Sequence, residues 1–471
     1  MFHNLDEAQR YVRDHEIQMV DLKYCDLRGG WHHITLPAGQ LSQETLEEGV
    51  GFDGSSVGFR SVKSGDMVLI PDLSTGTLDP FWDLPTLSFV CTTLEADTHK
   101  IFDNDPRNVA IRAEAYLRET GIADESRWGP EFEFYVFDRV TFENGANHAS
   151  YHVDSSEAEW SSAENCQPHP IKLHGGYHAI PPHDQHYDLR SKISKHLLQM
   201  GIPIKYHHHE VGGSGQCEVE TSLMGLVQSG DAAMMIMYVT RMAARAVGKA
   251  ATFMPKPLYG EAGNGMHFHQ LLLKEGKNLF YDPAGYGNLS QNALYYIGGM
   301  LKHGAALLAL TNPSTNSYRR LVPGFEAPVN AFFSLGNRSA AIRIPKYAHQ
   351  PHSTRFEFRP PDATCNVYLA LAAQLLAGLD GICHKIDPTE AGFGPIDEDI
   401  FSWTPQMRDT ILRLPGSLDI ALKALEADHD FLLAGGVFSE EMISQWIDHK
   451  MRAEFLQVLN RPHPYEMSLY F

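Results

Sequence analysis

Arg355-Phe-Glu-Phe-Arg359 alternates charge and aromatic ring at the two-residue period of a β-strand. Arg355, Glu357 and Arg359 therefore share one face, while Phe356 and Phe358 enter a core. A solvent-facing strand edge carries the same alternation, but a second stretch argues against that reading. Gly129-Pro-Glu-Phe-Glu-Phe-Tyr-Val-Phe137 places Glu131 and Glu133 on one face and aromatic rings on the other. Two such strands predict a sheet buried on its aromatic side, with carboxylates and arginines projecting from the opposite side into one cavity. Metal-assisted phosphate chemistry needs those groups on rigid strands.

A chain of 471 residues has room for one large catalytic domain and a smaller partner. Its 43% hydrophobic and 20% charged content is that of an ordinary globular protein. With 58 acids against 38 Lys and Arg, the net charge of −20 argues against a nucleic-acid partner held through phosphates. Six scattered cysteines with no C-x-x-C pair read as reduced thiols. The charged N-terminus leads into no signal-peptide segment, and no apolar run is long enough to span a bilayer, so no membrane partner is expected and the cytoplasm is the expected compartment.

Hydrophobic spacing predicts a small α+β unit over 1–104, with a helix over 5–15 and strands over 17–24, 31–36, 67–70 and 87–93. Gly51-Phe-Asp-Gly-Ser-Ser-Val-Gly58 reads as a loop in which Asp53 caps a turn. A second unit, 105–471, opens with Asp105 as helix cap and Pro106 in the first turn, its first helix ending near Gly121. Residues 144–170 lack periodicity and read as a surface insertion. Helices are predicted over 188–200, 231–249, 291–310, 366–384 and 440–459, covering a sheet built from the motif strands. The stripe Met234, Met235, Met237 and Met242 reads as core packing.

His207-His-His209 cannot ligate one ion with all three rings, because strand neighbours point to opposite faces; either His208 or the outer two face a site. Glu210 and Glu218 flank a glycine-rich turn and can join Glu133 in an all-carboxylate cage, a donor set that favours Mg²⁺ or Mn²⁺ over Zn²⁺. In Gly260-Glu-Ala-Gly-Asn-Gly-Met-His-Phe-His-Gln270 a glycine-rich loop feeds a strand on which His267 and His269 share a face, without the ending of a P-loop. Arg319, Arg320, Arg338, Arg343, Arg355 and Arg359 cluster within one segment, where they can offset charge on a transferred phosphoryl group.

These stretches resemble glutamine synthetase of the bacterial type I class. The matching pieces are Phe52-Asp-Gly-Ser-Ser56, Gly129-Pro-Glu-Phe-Glu133, Gly175-Gly-Tyr177, His207-His-His-Glu210, Gly215-Gln-Cys-Glu218, Asn264-Gly-Met-His267, the run from Asn312 to Glu326, Asn337-Arg-Ser339 and Arg355–Arg359, in family order along nearly the whole chain. The resemblance implies a β-grasp-like N-terminal domain, a large catalytic domain with a curved antiparallel sheet and flanking helices, and a dodecamer of two hexameric rings with active sites between subunits. It implies ATP-dependent ligation of glutamate and ammonia to glutamine through γ-glutamyl phosphate. Glu133, Glu210 and Glu218 would hold one divalent ion, and Glu131, His267 and Glu357 a second. Arg338, Arg343, Arg355 and His269 would serve ATP. Gly263, Arg320 and Arg359 would hold glutamate. Asp53, Ser56, Tyr177, Glu210 and Glu326 would form the ammonium site, with Asp53 as proton acceptor and Glu326 on a closing loop.

The chain departs from close bacterial relatives at Ala262, where they carry asparagine, and at Leu223, Leu271 and His352 near the nucleotide. A γ-glutamyl ligase for another amine, or a silent scaffold or sensor on the same fold, are the competing readings; the complete ammonium cage and metal-ligand set speak against them. Relatives modified on a tyrosine carry it where this chain has Phe401, in Asp399-Ile-Phe-Ser-Trp-Thr-Pro405, so tyrosyl adenylylation is not expected here.

Overall fold

The computed structural model describes residues 2–58, 65–161, 168–323, 327–398, 400–408 and 410–471. In the N-terminal part, a six-stranded sheet runs in the order Trp31–Pro37, Met19–Cys25, Thr86–Glu95, Asp66–Pro71, Val50–Asp53, with Thr77–Asp79 also on Thr86–Glu95. Met19–Cys25 and Thr86–Glu95 are parallel and the other neighbours antiparallel. Helix Leu5–Asp14, capped by the Asn4 side chain, contributes Ala8 to a core with Val20, Leu22, Leu69 and Phe89. The strand Val50–Asp53 replaces the front of the expected loop. Its sequence, Val-Gly-Phe-Asp, is too short and too glycine-rich to declare itself.

The chain then enters helix Pro106–Glu119, with Asp105 accepting from the Arg107 N–H at its start and Gly121 in the left-handed region just beyond its end. Ten strands form the second sheet. Its main path is Ile204–His209, Gln216–Thr221, Glu125–Phe137, Met266–Lys274, Phe356–Phe358, Ala340–Ile344, Asn330–Leu335. Only the last pair on that path is parallel. Phe132, Phe134, Phe268, Phe356 and Phe358 are fully buried in one core with residues of helices Leu226–Ala246, Gln291–Lys302 and Val367–Cys383. Met234, Met235 and Met237 are buried in that core. The architecture is α+β, as expected.

Three expectations need correction. Residues 291–310 form not one helix but two, Gln291–Lys302 and Gly304–Thr311, bent by 73°. At the break His303 is clamped between Asp428 (Nδ1 to Oδ2 2.8 Å) and Asp380 (Nε2 to Oδ2 2.9 Å), carboxylates distant in sequence. The helix over 440–459 is likewise interrupted: Glu440–His449 passes through a wide turn, Lys450–Phe455, into Leu456–Leu459. Finally, residues 144–170 are only partly a surface insertion. The hairpin Arg139–Asn144 with Ala149–Asp154 is exposed as far as His152, but the chain then turns inward, Asp154 is buried and Glu157 has no exposure at all. Among the described residues no single helix is long and apolar enough to cross a membrane.

Candidate active site

The register of the large sheet collects its charges. Glu218 lies opposite Glu133, Glu220 and His267 opposite Glu131, and His269 and Arg343 opposite Glu357. Over this face opens a cavity of about 410 Å³. All six residues expected to bind metal line it, Glu131, Glu133, Glu210, Glu218, His267 and Glu357, together with Tyr177, Gly263, Arg320, Arg338, Arg343 and Arg359.

Ligand-capable atoms fall into groups whose members lie within 4.8 Å of one another. One group is Glu131, His267 and Glu357; another is His208, Glu210 and Glu218. His208 therefore faces the cavity, while His207 approaches Arg190 (3.3 Å) and His209 approaches Glu157 (3.2 Å) on the other side of the strand. Glu133 sits between the two groups. Its Oε2 accepts from the Gly265 N–H at 2.6 Å, and its Oε1 lies 3.9 Å from His267 Nε2.

The two groups differ electrostatically. Burial opposes ionisation of Glu131, but His269, at 2.6 Å, and His267, at 3.2 Å, hold its carboxyl well below the usual range. Burial likewise opposes ionisation of Glu357, but Arg359, hydrogen-bonded to Oε1, and the histidines bring it down to about 2. Arg343 Nη1 donates to Glu357 Oε2 at 2.6 Å. On the other side, burial and then the charges of Glu133 and Glu218 push Glu210 well up. Glu218 is pushed up by burial and then by Glu131, Glu133 and Glu220. This half of the site holds carboxylates in excess of protein cations, and oxygen donors with one imidazole suit a hard divalent ion.

The guanidinium groups are held firmly. Buried Arg320 donates to the Pro360 carbonyl (2.7 Å) and the Arg359 carbonyl (3.2 Å), and Arg359 Nε donates to the Arg338 carbonyl (3.1 Å). Arg338 lies 5.9 Å over the Tyr177 ring. At Gly263 a β-carbon would come within 2.6 Å of the Pro255 carbonyl, which restricts this point of the loop to glycine.

Other candidates lie outside the cavity lining. His269 is buried behind Glu131. Arg355 sits 5.7 Å over the ring of Tyr347, which does line the cavity. Arg319 is exposed. Asp53 and Ser56 belong to the N-terminal sheet end, where Asp53 accepts from the Ser55 hydroxyl (2.6 Å), the Ser56 hydroxyl (2.9 Å) and the Ser55 N–H (2.9 Å). Those hydrogen bonds lower the Asp53 carboxyl. Glu326, Asp399 and the Phe401 side chain lie outside the described residues. Of the four departures, Ala262 lines the cavity and Leu223, Leu271 and His352 do not. Sequence reasoning passed over Tyr206 and Tyr347, both in the lining. Tyr206 was legible, since it alternates with His208 on one strand.

The sequence matches the family model described as glutamine synthetase, catalytic domain, over residues 103–470, and the one described as glutamine synthetase, beta-Grasp domain, over 16–96. It is 45% identical to a glutamine synthetase of Frankia alni, with 100% of both chains covered, and 46% identical to that of Streptomyces coelicolor, again over both whole chains. Among solved structures, glutamine synthetase of Plasmodium falciparum superposes with a TM-score of 0.89 at 27% identity, covering 100% of this chain and 99% of the other. A GmaS/ADP complex gives 0.82 at 25% identity, with the same coverage.

Proposed function

Since the chain belongs to the glutamine synthetase family, and so joins glutamate to ammonia at the expense of ATP with the help of a divalent metal, we propose that the cavity over the large sheet is where each of these reactants is handled. The observation that carries this reading is the pairing of two ligand groups with a row of guanidinium groups around one space. Glu131, His267 and Glu357 would hold one ion, and Glu210 and Glu218, with Glu133 or His208, a second, each Mg²⁺ or Mn²⁺. When bound, these cations would reduce the repulsion between the triphosphate and the attacking glutamate carboxylate.

Arg320, Arg359 and the Gly263 backbone orient glutamate, so that its side-chain carboxylate attacks the γ-phosphorus and ADP departs. Arg338 and Arg343 stabilise the charge on the transferred group, and Arg355 and His269 support the nucleotide end. Ammonium has no lone pair, so it must be bound as a cation and deprotonated before it displaces phosphate from γ-glutamyl phosphate. Tyr177 and Glu210 serve that site from this chain. Asp53, ionised and exposed, accepts the proton from a neighbouring subunit's small domain, with Ser56 beside it and Glu326 closing the site.

That arrangement requires a contact between neighbouring subunits. A dodecamer of two hexameric rings is supported by the C-terminal helix Pro464–Tyr470, which leaves Tyr465, Met467, Leu469 and Tyr470 exposed in the single chain. Five described cysteines are free thiols, in keeping with a cytoplasmic enzyme. The division into 1–104 and 105–471 belongs to the same reading. The test is phosphate release from ATP with glutamate, comparing ammonium, methylamine and polyamines. Turnover with ammonium alone is expected; efficient turnover with a larger amine but not ammonium would transfer the chain to the γ-glutamyl ligases of other amines.

A further inference from the structure

Behind the strand that presents His208 and Glu210 lies a buried polar contact that none of these roles uses. Glu157 and His209 are both fully buried. Glu157 Oε1 accepts from the Gln185 N–H at 2.6 Å, and Oε2 lies 3.2 Å from His209 Nε2 and 3.5 Å from His186 Nε2. The other nitrogen of His209, Nδ1, lies 2.7 Å from the Glu210 carbonyl oxygen. The carboxylate and the carbonyl are both acceptors, and the ring lying between them bridges the Glu210 peptide to Glu157.

The same ring and peptide meet the Tyr177 segment. A β-carbon at Gly176 would lie 2.4 Å from the Glu210 carbonyl and 2.6 Å from His209 Nδ1, and the Gly176 N–H donates to the Val211 carbonyl at 3.0 Å. The far end of the turn lies against the same group: a β-carbon at Gly215 would meet the Val136 carbonyl at 2.5 Å and reach Glu157 Oε2 at an ordinary contact distance of 3.4 Å. The turn carrying Glu210 is therefore packed between the Tyr177 loop and Glu157.

We infer that Glu157 is a positioning residue for the metal and amine end of the cavity, acting through His209 to aim Glu210 and, through Gly176, to set Tyr177. This rests on the roles assigned above to Glu210 and Tyr177. Partners of this kind, which orient ligands without touching the ion, carry a large share of a site's affinity. Glu157→Ala leaves His209 Nε2 without its acceptor in a fully buried place and frees the ring to turn. Glu157→Gln keeps the shape and an acceptor but removes the charge. The nucleotide end is served by His269, on the strand Met266–Lys274, and by Arg355, just before Phe356–Phe358, neither of which touches Glu157 or His209 in this contact.

The test uses the full-length enzyme. Mn²⁺ binding without substrates is followed by the electron paramagnetic resonance signal of the free ion, and KM is measured for ammonium and for ATP. Glu157→Ala is expected to weaken Mn²⁺ binding and raise the ammonium KM by about tenfold or more, with the ATP KM within about twofold, and Glu157→Gln to fall between it and the parent. Should Glu157→Ala fail to fold, the same split in Glu157→Gln decides. Unchanged Mn²⁺ affinity and ammonium KM in the folded variants, or a parallel rise in every KM, would overturn the assignment. The Mn²⁺ titration needs no turnover, so a parent enzyme that bound Mn²⁺ but made no glutamine would instead refute the proposed function.

Discussion

Glu210→Gln is expected to do two opposite things: to stabilise the metal-free protein and to remove most of what the metal adds. Glu210 and Glu218 have carboxylate oxygens within 4.8 Å of each other. Two unit charges at that distance and an effective dielectric of 20 repel by about 3.5 kcal/mol. Burial and like charge push both carboxyls up, so the substitution relieves at most this repulsion. The amide still accepts from the Val211 N–H, which now donates to Glu210 Oε2 at 2.6 Å. A divalent ion at 100 times its Kd stabilises the parent by about 2.7 kcal/mol. If the neutral ligand weakens binding 10- to 100-fold, as changes at such sites commonly do, the same concentration gives about 0.4–1.4 kcal/mol. The sign of the pH dependence follows. Carboxyls raised in the folded state favour folding at pH below their unfolded values and lose that contribution as pH rises through the folded ones. The metal-free parent should therefore weaken from acid toward neutral pH more steeply than the variant. Thermal melts of both proteins with EDTA and with Mn²⁺ read all of this. A metal-free variant that melts below the parent while keeping the full Mn²⁺ increment would refute the electrostatic argument.

Asp53→Ala should raise the ammonium KM and depress glutamine formation far more than it changes ATP affinity, because its proposed work is on the amine; steady-state kinetics with unchanged ammonium dependence would remove it from the mechanism. His303, raised by Asp380 and Asp428 against the effect of burial, contributes stability that is complete below its unfolded pKa of about 6.5 and is lost as pH rises through the higher folded value. Urea midpoints across that range should decline in the parent and flatten in His303→Gln; equal slopes would disprove the clamp. Incubation with an adenylyltransferase and ATP should leave the intact mass unchanged, since Phe401 has no hydroxyl; an added AMP within residues 397–405 with loss of activity would contradict this.

The features that were legible in the sequence share one cause. In a strand every second side chain returns to the same face, so Glu131 and Glu133, or Arg355, Glu357 and Arg359, announce a common direction within a few residues. What stayed hidden depends on partners far along the chain. The helical period runs unbroken through His303, and the bend there comes from Asp380 and Asp428, which no local pattern connects to it. Glu157 lies in a polar, aperiodic segment and is buried because His209 and His186 meet it there.

Register joins the two cases. Alternation states that Glu131 and Glu218 each face one side of their own strand, but not that the sides coincide. Pairing Glu218 with Glu133 and His267 with Glu131 makes them coincide, and a slip of one residue on any strand would send its carboxylates into the aromatic core. The fully buried phenylalanines Phe132, Phe134, Phe268, Phe356 and Phe358 thus do more than fill the core. By making every one-residue slip bury charge, they hold the carboxylates, histidines and arginines of separate strands on one side of the sheet, and the chemistry proposed for the cavity depends on that packing as much as on the ligands themselves.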